Sequence, residues 1–256
     1  MSQQPADNPV TGNFDYFHNP SWRIFRIMSE FVEGFTFLAN IHKSVTFFGS
    51  ARLPEDNAYY KLARTLGKRL AEQDYTIVTG GGPGIMQAGN QGAYDAGGKS
   101  VGINIQLPME QRENPYVKQS ISLHYFFSRK VMLDFSAEAF VFFPGGYGTM
   151  DEFFELVTLV QTGKMSRDVP IIMMGKDFWQ PLADWMKGTM HKELNVIGEK
   201  DLDLWTLTDD IEEVVRIITQ QVDKQEAKRV TTKGTTAKSP EDKLSEATRP
   251  MSGTEQ

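Results

Sequence analysis

The sequence predicts an α/β fold, a Rossmann-like doubly wound parallel sheet with helices on both faces. Three observations carry that expectation. Short apolar runs recur at 44–50, 76–79, 101–105, 139–143 and 169–174, too continuous for strands with one wet face. Helical patterns separate them, and strands alternating with helices imply parallel pairing. Two of the strands run straight into glycine-rich turns, 80–84 and 144–149, each of which opens the next helix.

Residues 1–19 are polar, with Pro, Asn, Gly and Gln, and are expected to be flexible. A single Rossmann-like nucleotide-binding domain is then expected over 20–223. It begins with a helix on which Trp22, Phe25, Met28, Val32 and Phe35 recur at helical spacing, widened by Ile24, Phe31 and Leu38. That stripe suits packing on its own domain, with a neighbouring subunit as the alternative. The first strand, 44–50, ends in Gly49-Ser50. A helix over 58–73 places Leu62, Leu66 and Leu70 on one face, and the strand 76–79 leads into Gly80-Gly81-Gly82-Pro83-Gly84. Ile85, Met86 and Ala88 open another helix, which Gly97-Gly98 ends before the strand 101–105. The polar stretch 107–120 reads as a loop and 122–125 as a short strand; a helix starts near Ser128-Arg129-Lys130. The strand 139–143, a long helix with Phe153, Leu156 and Val160, and the strand 169–174 come next. Helices near 178–190 and 210–222, with a small strand at 204–207, complete the domain. From 224 to 256 no aromatic residue appears, and mixed charge with low hydrophobicity predicts a disordered tail.

Composition removes several classes of function. With no cysteine, the chain has no disulfide, thiol catalyst or Cys-ligated metal, and His18, His42, His124 and His191 form no metal-spaced pair. A net charge of −6 argues against a general nucleic-acid binder. There is no 18-residue apolar run and no basic leader followed by an apolar segment, so a cytoplasmic location without membrane contact is expected. No metal or cofactor is expected.

The chemistry concentrates in Pro144-Gly145-Gly146-Tyr147-Gly148-Thr149-Met150-Asp151-Glu152. A strand, a tight turn and a helix start meet here, and a helix N-terminus presents free N–H groups to an anion. Gly145, Gly146 and Gly148 let the backbone approach a phosphate, and Thr149 can cap the helix or donate its hydroxyl. Glu152 lies one turn further on, badly placed to bind phosphate but well placed to act on the rest of a phosphorylated ligand. In an open parallel sheet this turn, the 80–84 turn and Gly49-Ser50 share one edge. Arg129 and Lys130 belong near the same edge, where an arginine can grip phosphate or hydrogen-bond sugar or base.

Two other fingerprints fail. Gly80 and Gly82 imitate the first glycines of G-x-G-x-x-G, but the third place is Ile85 and the following strand ends in Asn104 and Gln106, without an acid for a ribose, which argues against NAD. Gly98-Lys99-Ser100 ends like a P-loop, yet it has Ala93 where the first glycine belongs and runs into a strand.

With these residues in hand, the chain resembles the LOG family of nucleoside 5′-monophosphate phosphoribohydrolases, a family also labelled lysine decarboxylases. The family pattern P-G-G-x-G-T-x-x-E matches Pro144 to Glu152, and its Arg-Lys pair matches Arg129-Lys130. Gly49-Ser50 and the run Gly80 to Met86 match the remaining motifs. Phe-Gly-Ser-Ala-Arg at 48–52 and Tyr-Phe-Phe-Ser-Arg-Lys at 125–130 look like the longer subgroup with an N-terminal helix. The resemblance implies hydrolysis of the N-glycosidic bond of AMP or an N6-substituted AMP, giving free base and ribose 5-phosphate. It implies Arg129 and Glu152 as catalytic residues. For binding it implies Gly49, Ser50, Gly81, Gly82, Gly84, Met86, Lys130, Gly145, Gly146, Gly148 and Thr149. Glu155 either shares in this work or faces solvent. A homo-oligomer, dimer or hexamer, is implied as well. The alternative is a non-catalytic purine nucleotide sensor or carrier using the same pocket. A decarboxylase would need a lysine in Schiff base with pyridoxal phosphate, and no lysine here sits in a motif that supports one.

Overall fold

The computed structural model describes residues 20–106 and 113–222. The expected flexible segments 1–19 and 224–256 lie outside the described residues.

Seven parallel strands form one sheet in the order β4-β3-β2-β1-β5-β6-β7. They are β1 (Ser44–Phe48), β2 (Thr76–Thr79), β3 (Ser100–Ile105), β4 (Gln119–Leu123), β5 (Ala139–Phe142), β6 (Ile171–Met173) and β7 (Thr206–Leu207). The helices between them are α1 (Pro20–Leu38), α2 (Ala58–Ala71), α3 (Ile85–Asp95), α4 (Phe126–Phe135), α5 (Tyr147–Gln161) and α6 (Lys176–Trp185), with α7 over 211–222. A π-helical turn, Met186–Glu193, continues from α6, and a 3-10 turn, Glu199–Asp203, precedes β7.

The central strands are buried on both faces, and their alternation sorts side chains into two cores. Val45, Phe47, Val141 and Phe143 face α2, α3 and α7, where they meet Leu66, Leu70, Ala88, Val214 and Ile218. Phe48, Phe140 and Phe142 face the opposite side with Met132, Phe153, Leu156 and Trp179. Trp179 also donates its Nε1–H to the Phe142 carbonyl at 3.1 Å, fixing the end of β5 just before the glycine turn. Chain order runs outward from β1 to β4 and returns to β5 beside β1, so the winding reverses between β1 and β5. That is where a doubly wound sheet opens its ligand crevice.

Two elements differ from the sequence reading. β4 occupies 119–123 rather than 122–125, because its register with β3 pairs Val101 with Gln119 and Ile105 with Leu123. As an edge strand it buries only alternate residues, Ile121 and Leu123, which leaves a weak apolar signal. The second difference is the orientation of α1. Of the expected stripe, Phe31 and Leu38 pack on the domain and Phe35 meets Phe135 of α4, while Phe25, Met28 and Val32 face outward, Phe25 60% and Val32 67% exposed. The face that turns inward carries Glu30, Phe31, Gly34, Phe37 and Leu38. Among the described residues no helix is long and apolar enough to cross a membrane.

Candidate active site

The three turns expected at one edge are stitched together by backbone hydrogen bonds. Ser50 donates its N–H to the Pro144 carbonyl and accepts from the Ile85 N–H, each at 3.0 Å. Ser50 therefore joins the ends of β1 and β5 and the start of α3. Above it opens a cleft of about 960 Å³ whose lining includes Gly49, Ser50, Met86, Arg129, Gly145, Gly146, Gly148, Thr149 and Glu152.

The glycine turn is shorter than the motif. α5 already begins at Tyr147, so Gly148 and Thr149 sit in its first turn, and no side chain caps the N-cap Gly146. The first N–H groups of such a helix have no intrahelical acceptor. Gly145 is required by the protein itself, since a Cβ there would collide with the Thr149 hydroxyl. Gly146 and Gly148 differ, because a Cβ on either would meet no protein atom within 4 Å, and neither has a positive φ. Protein packing gives no reason for glycine at these two positions; the open space beside them belongs to the cleft.

Arg129 reaches the cleft along a constrained path. Its Nε donates to the Ile103 carbonyl at 2.9 Å, and its guanidinium passes so close to Gly80 that a Cβ there would collide with it. Burial holds its pKa below the ordinary arginine value, against the opposing pull of Glu152. Glu152 is pushed up to about 7, chiefly by burial; Arg129 and Lys130 pull it down, while Asp151 and Glu155 push it up. A carboxyl poised near neutrality beside a guanidinium can take up or release a proton at physiological pH.

The remaining expected residues lie behind the cleft. Lys130 pairs with Asp151 at 2.8 Å and Glu155 at 2.6 Å, tying α4 to α5 on either side of Glu152. It is absent from the cleft lining, and Glu155 is held by this pair rather than by solvent alone. Gly81, Gly82 and Gly84 are buried beneath it. The Gly81 N–H donates to Thr79 at 2.9 Å, and the carbonyls of Gly81 and Gly82 accept from the buried Asn114 amide at 3.1 and 3.0 Å. Gly84, at φ 68°, lets the chain pass against the Ser50 carbonyl. Asn114 thus holds the carbonyls of this second glycine loop, and the Ile85 N–H at its end ties it to Ser50 under the first.

Several lining residues carry no motif signal: Asn57, Tyr59 and Phe178. Tyr59 and Phe178 come from α2 and α6, and only the sheet topology brings them together. Asp134 on α4, behind the cleft, is raised to about 8, mainly by burial and next by Glu155. Among the described residues no group of three or more His, Asp or Glu side chains could hold a metal ion.

A family described as "possible lysine decarboxylase" matches residues 86–218. The chain is 27% identical over 148 residues to the cytokinin riboside 5′-monophosphate phosphoribohydrolase of Rhodococcoides fascians, covering 57% of this chain and 74% of that protein. It is 30% identical over 140 residues to a probable cytokinin riboside 5′-monophosphate phosphoribohydrolase of Arabidopsis thaliana, covering 53% and 67%. Among solved structures, the Moco carrier protein of Chlamydomonas reinhardtii has the same fold, with TM-score 0.50, 21% identity and coverage of 71% of this chain and 98% of that one. The molybdenum cofactor binding protein of Rippkaea orientalis also has it, with TM-score 0.50, 18% identity and coverage of 69% and 94%.

Proposed function

The chain belongs to the LOG family, the one described as possible lysine decarboxylases, and from that premise we propose that it is a nucleoside 5′-monophosphate phosphoribohydrolase. Its substrate would be AMP or an N6-substituted AMP, and its products free base and ribose 5-phosphate. The observation that carries the reading is the juxtaposition at one cleft of an uncapped helix start, two glycines with open space beside them, and the Arg129–Glu152 pair. The relatives named as phosphoribohydrolases point the same way.

In this reading the N–H groups at the start of α5 hold the 5′-phosphate, with Gly146 and Gly148 leaving room for its oxygens. That places the sugar over Glu152. As the C1′–N9 bond breaks, its electron pair leaves on the purine and the ribose takes on oxocarbenium character, which an ionised Glu152 stabilises. Glu152 also accepts a proton from the water whose oxygen bonds to C1′. The purine takes up a proton as it leaves, so the sum is addition of one water. Arg129 orients the nucleotide and offers a hydrogen bond to the departing side.

The rival is a non-catalytic purine nucleotide sensor or carrier that uses the same pocket; the Chlamydomonas neighbour of like fold is a Moco carrier protein. What favours the enzyme is the Glu152 carboxyl in the cleft lining with Arg129, a group able to accept a proton from water there. Incubation of the purified protein with AMP should yield adenine and ribose 5-phosphate in equal amounts by chromatography. AMP bound and recovered intact would favour the carrier.

We further propose that the protein is a homo-oligomer whose subunits meet on the apolar face of α1. Trp22, Phe25, Met28, Val32 and Phe35 are exposed there and continue into Phe135 of α4, which is 70% exposed. Such a face suits a self-complementary contact between identical subunits.

A further inference from the structure

We infer that Glu30 is a positioning residue for Arg129, which makes α1 part of the reaction machinery rather than only a cover or an interface. The inference rests on the role proposed above for Arg129.

α1 turns few large side chains inward, yet one group that it buries is a carboxylate. Glu30 is 7% exposed. Its Oε1 accepts the His124 N–H at 2.8 Å; its Oε2 accepts the Tyr125 N–H at 3.3 Å and the Ser128 hydroxyl. These three donors are the entry to α4. Tyr125 is the N-cap of that helix, and its own side chain makes no capping hydrogen bond. A carboxylate from a distant part of the sequence therefore accepts the N–H of the N-cap residue, as the N3 Glu of a capping box does, together with the N–H just before it, and its charge complements the positive end of the helix dipole.

One turn further along α1, Gly34 sets the spacing, since a Cβ there would collide with Met132 on α4. Glu30 and Gly34 thus fix the height and the distance of α4 relative to α1. Arg129 immediately follows Ser128. Its side chain is threaded between the Ile103 carbonyl and Gly80, so a small slide of the α4 start would break that path before it unfolded anything. A leucine would serve α1–α4 packing as well as Glu30 does. A carboxylate is needed where the first turn of α4 has to be held in one place.

Glu30→Gln keeps the shape but leaves one oxygen to accept, and turns an NH₂ group toward donors. Turnover of AMP should fall by at least about tenfold, with the loss in kcat. Affinity for ribose 5-phosphate, held at the start of α5, should stay within about twofold of wild type. In an Arg129→Ala background Glu30→Gln should cause no further loss, because both act through one group. Ser128→Ala removes one of the three contacts and should show a smaller loss of the same kind if Glu30→Gln folds poorly. Should the wild-type protein bind AMP without cleaving it, the phosphoribohydrolase reading fails, and AMP affinity by calorimetry replaces turnover in the same comparison. Glu30→Gln with wild-type behaviour, equal losses of AMP and ribose 5-phosphate, or effects additive with Arg129→Ala would each overturn the inference.

Discussion

Gly148 separates two kinds of glycine that a sequence cannot tell apart. Gly84 and Gly81 have positive φ and neighbours within reach of a Cβ, so they are glycine for the backbone's sake. Gly148 is helical and meets nothing, so its side-chain space is free for a ligand. Gly148→Ala should therefore stabilise the fold by about 0.5–1 kcal/mol, as alanine does in a helix, while weakening phosphate-ester binding. Chemical denaturation and AMP titration on the same sample would read both changes; a stabilised variant with undiminished affinity would remove Gly148 from the phosphate site. At this scale the motif residues were legible, since Gly49, Ser50, Met86, Arg129 and Glu152 all line the cleft. Lys130 was not, because its partners Asp151 and Glu155 stand 21 or more positions away on another helix, and no local pattern announces them.

The α4–α5 pair sets how the site responds to pH. From α4, Arg129, Lys130 and Asp134 face Glu152, and from α5 so do Asp151 and Glu155. Burial raises the Glu152 carboxyl to about 7, and the ionised form is the one that accepts a proton. Activity should therefore rise with pH through about 7 and then level off. Lys130 holds the Glu152 pKa down, so Lys130→Ala should move that rise to higher pH while leaving the high-pH plateau less affected. A pH–rate profile of kcat/KM for both proteins checks this, and an unshifted limb would show that Lys130 does not act through Glu152. Elements differ in legibility for a physical reason as well. The central strands were readable because both faces are dry. α1 carries two faces, and the buried one is interrupted by Glu30 and Gly34, so periodicity caught only its Phe31 and Leu38 and merged them with the exposed stripe.

For the whole molecule, the order of strands could be anticipated only as a class. Alternation of strands and helices implies a parallel sheet, but which strand lies beside β1 follows from pairing across the chain, such as Phe47 with Val141. That pairing is what brings Gly49-Ser50 against Pro144 and creates the cleft. The apolar face of α1 carries the expectation at the largest scale. Replacing Phe25 and Val32 together by Glu should leave the fold intact, since both are exposed, and should lower the mass measured by light scattering. An unchanged mass would place the subunit contact elsewhere. The central claim is that Glu152 acts on a nucleotide whose phosphate is held separately. It is tested most directly by comparing adenine release and AMP affinity in wild type and Glu152→Ala. Release should be abolished while affinity stays within roughly tenfold, about 1.4 kcal/mol; undiminished release by the variant would contradict the account.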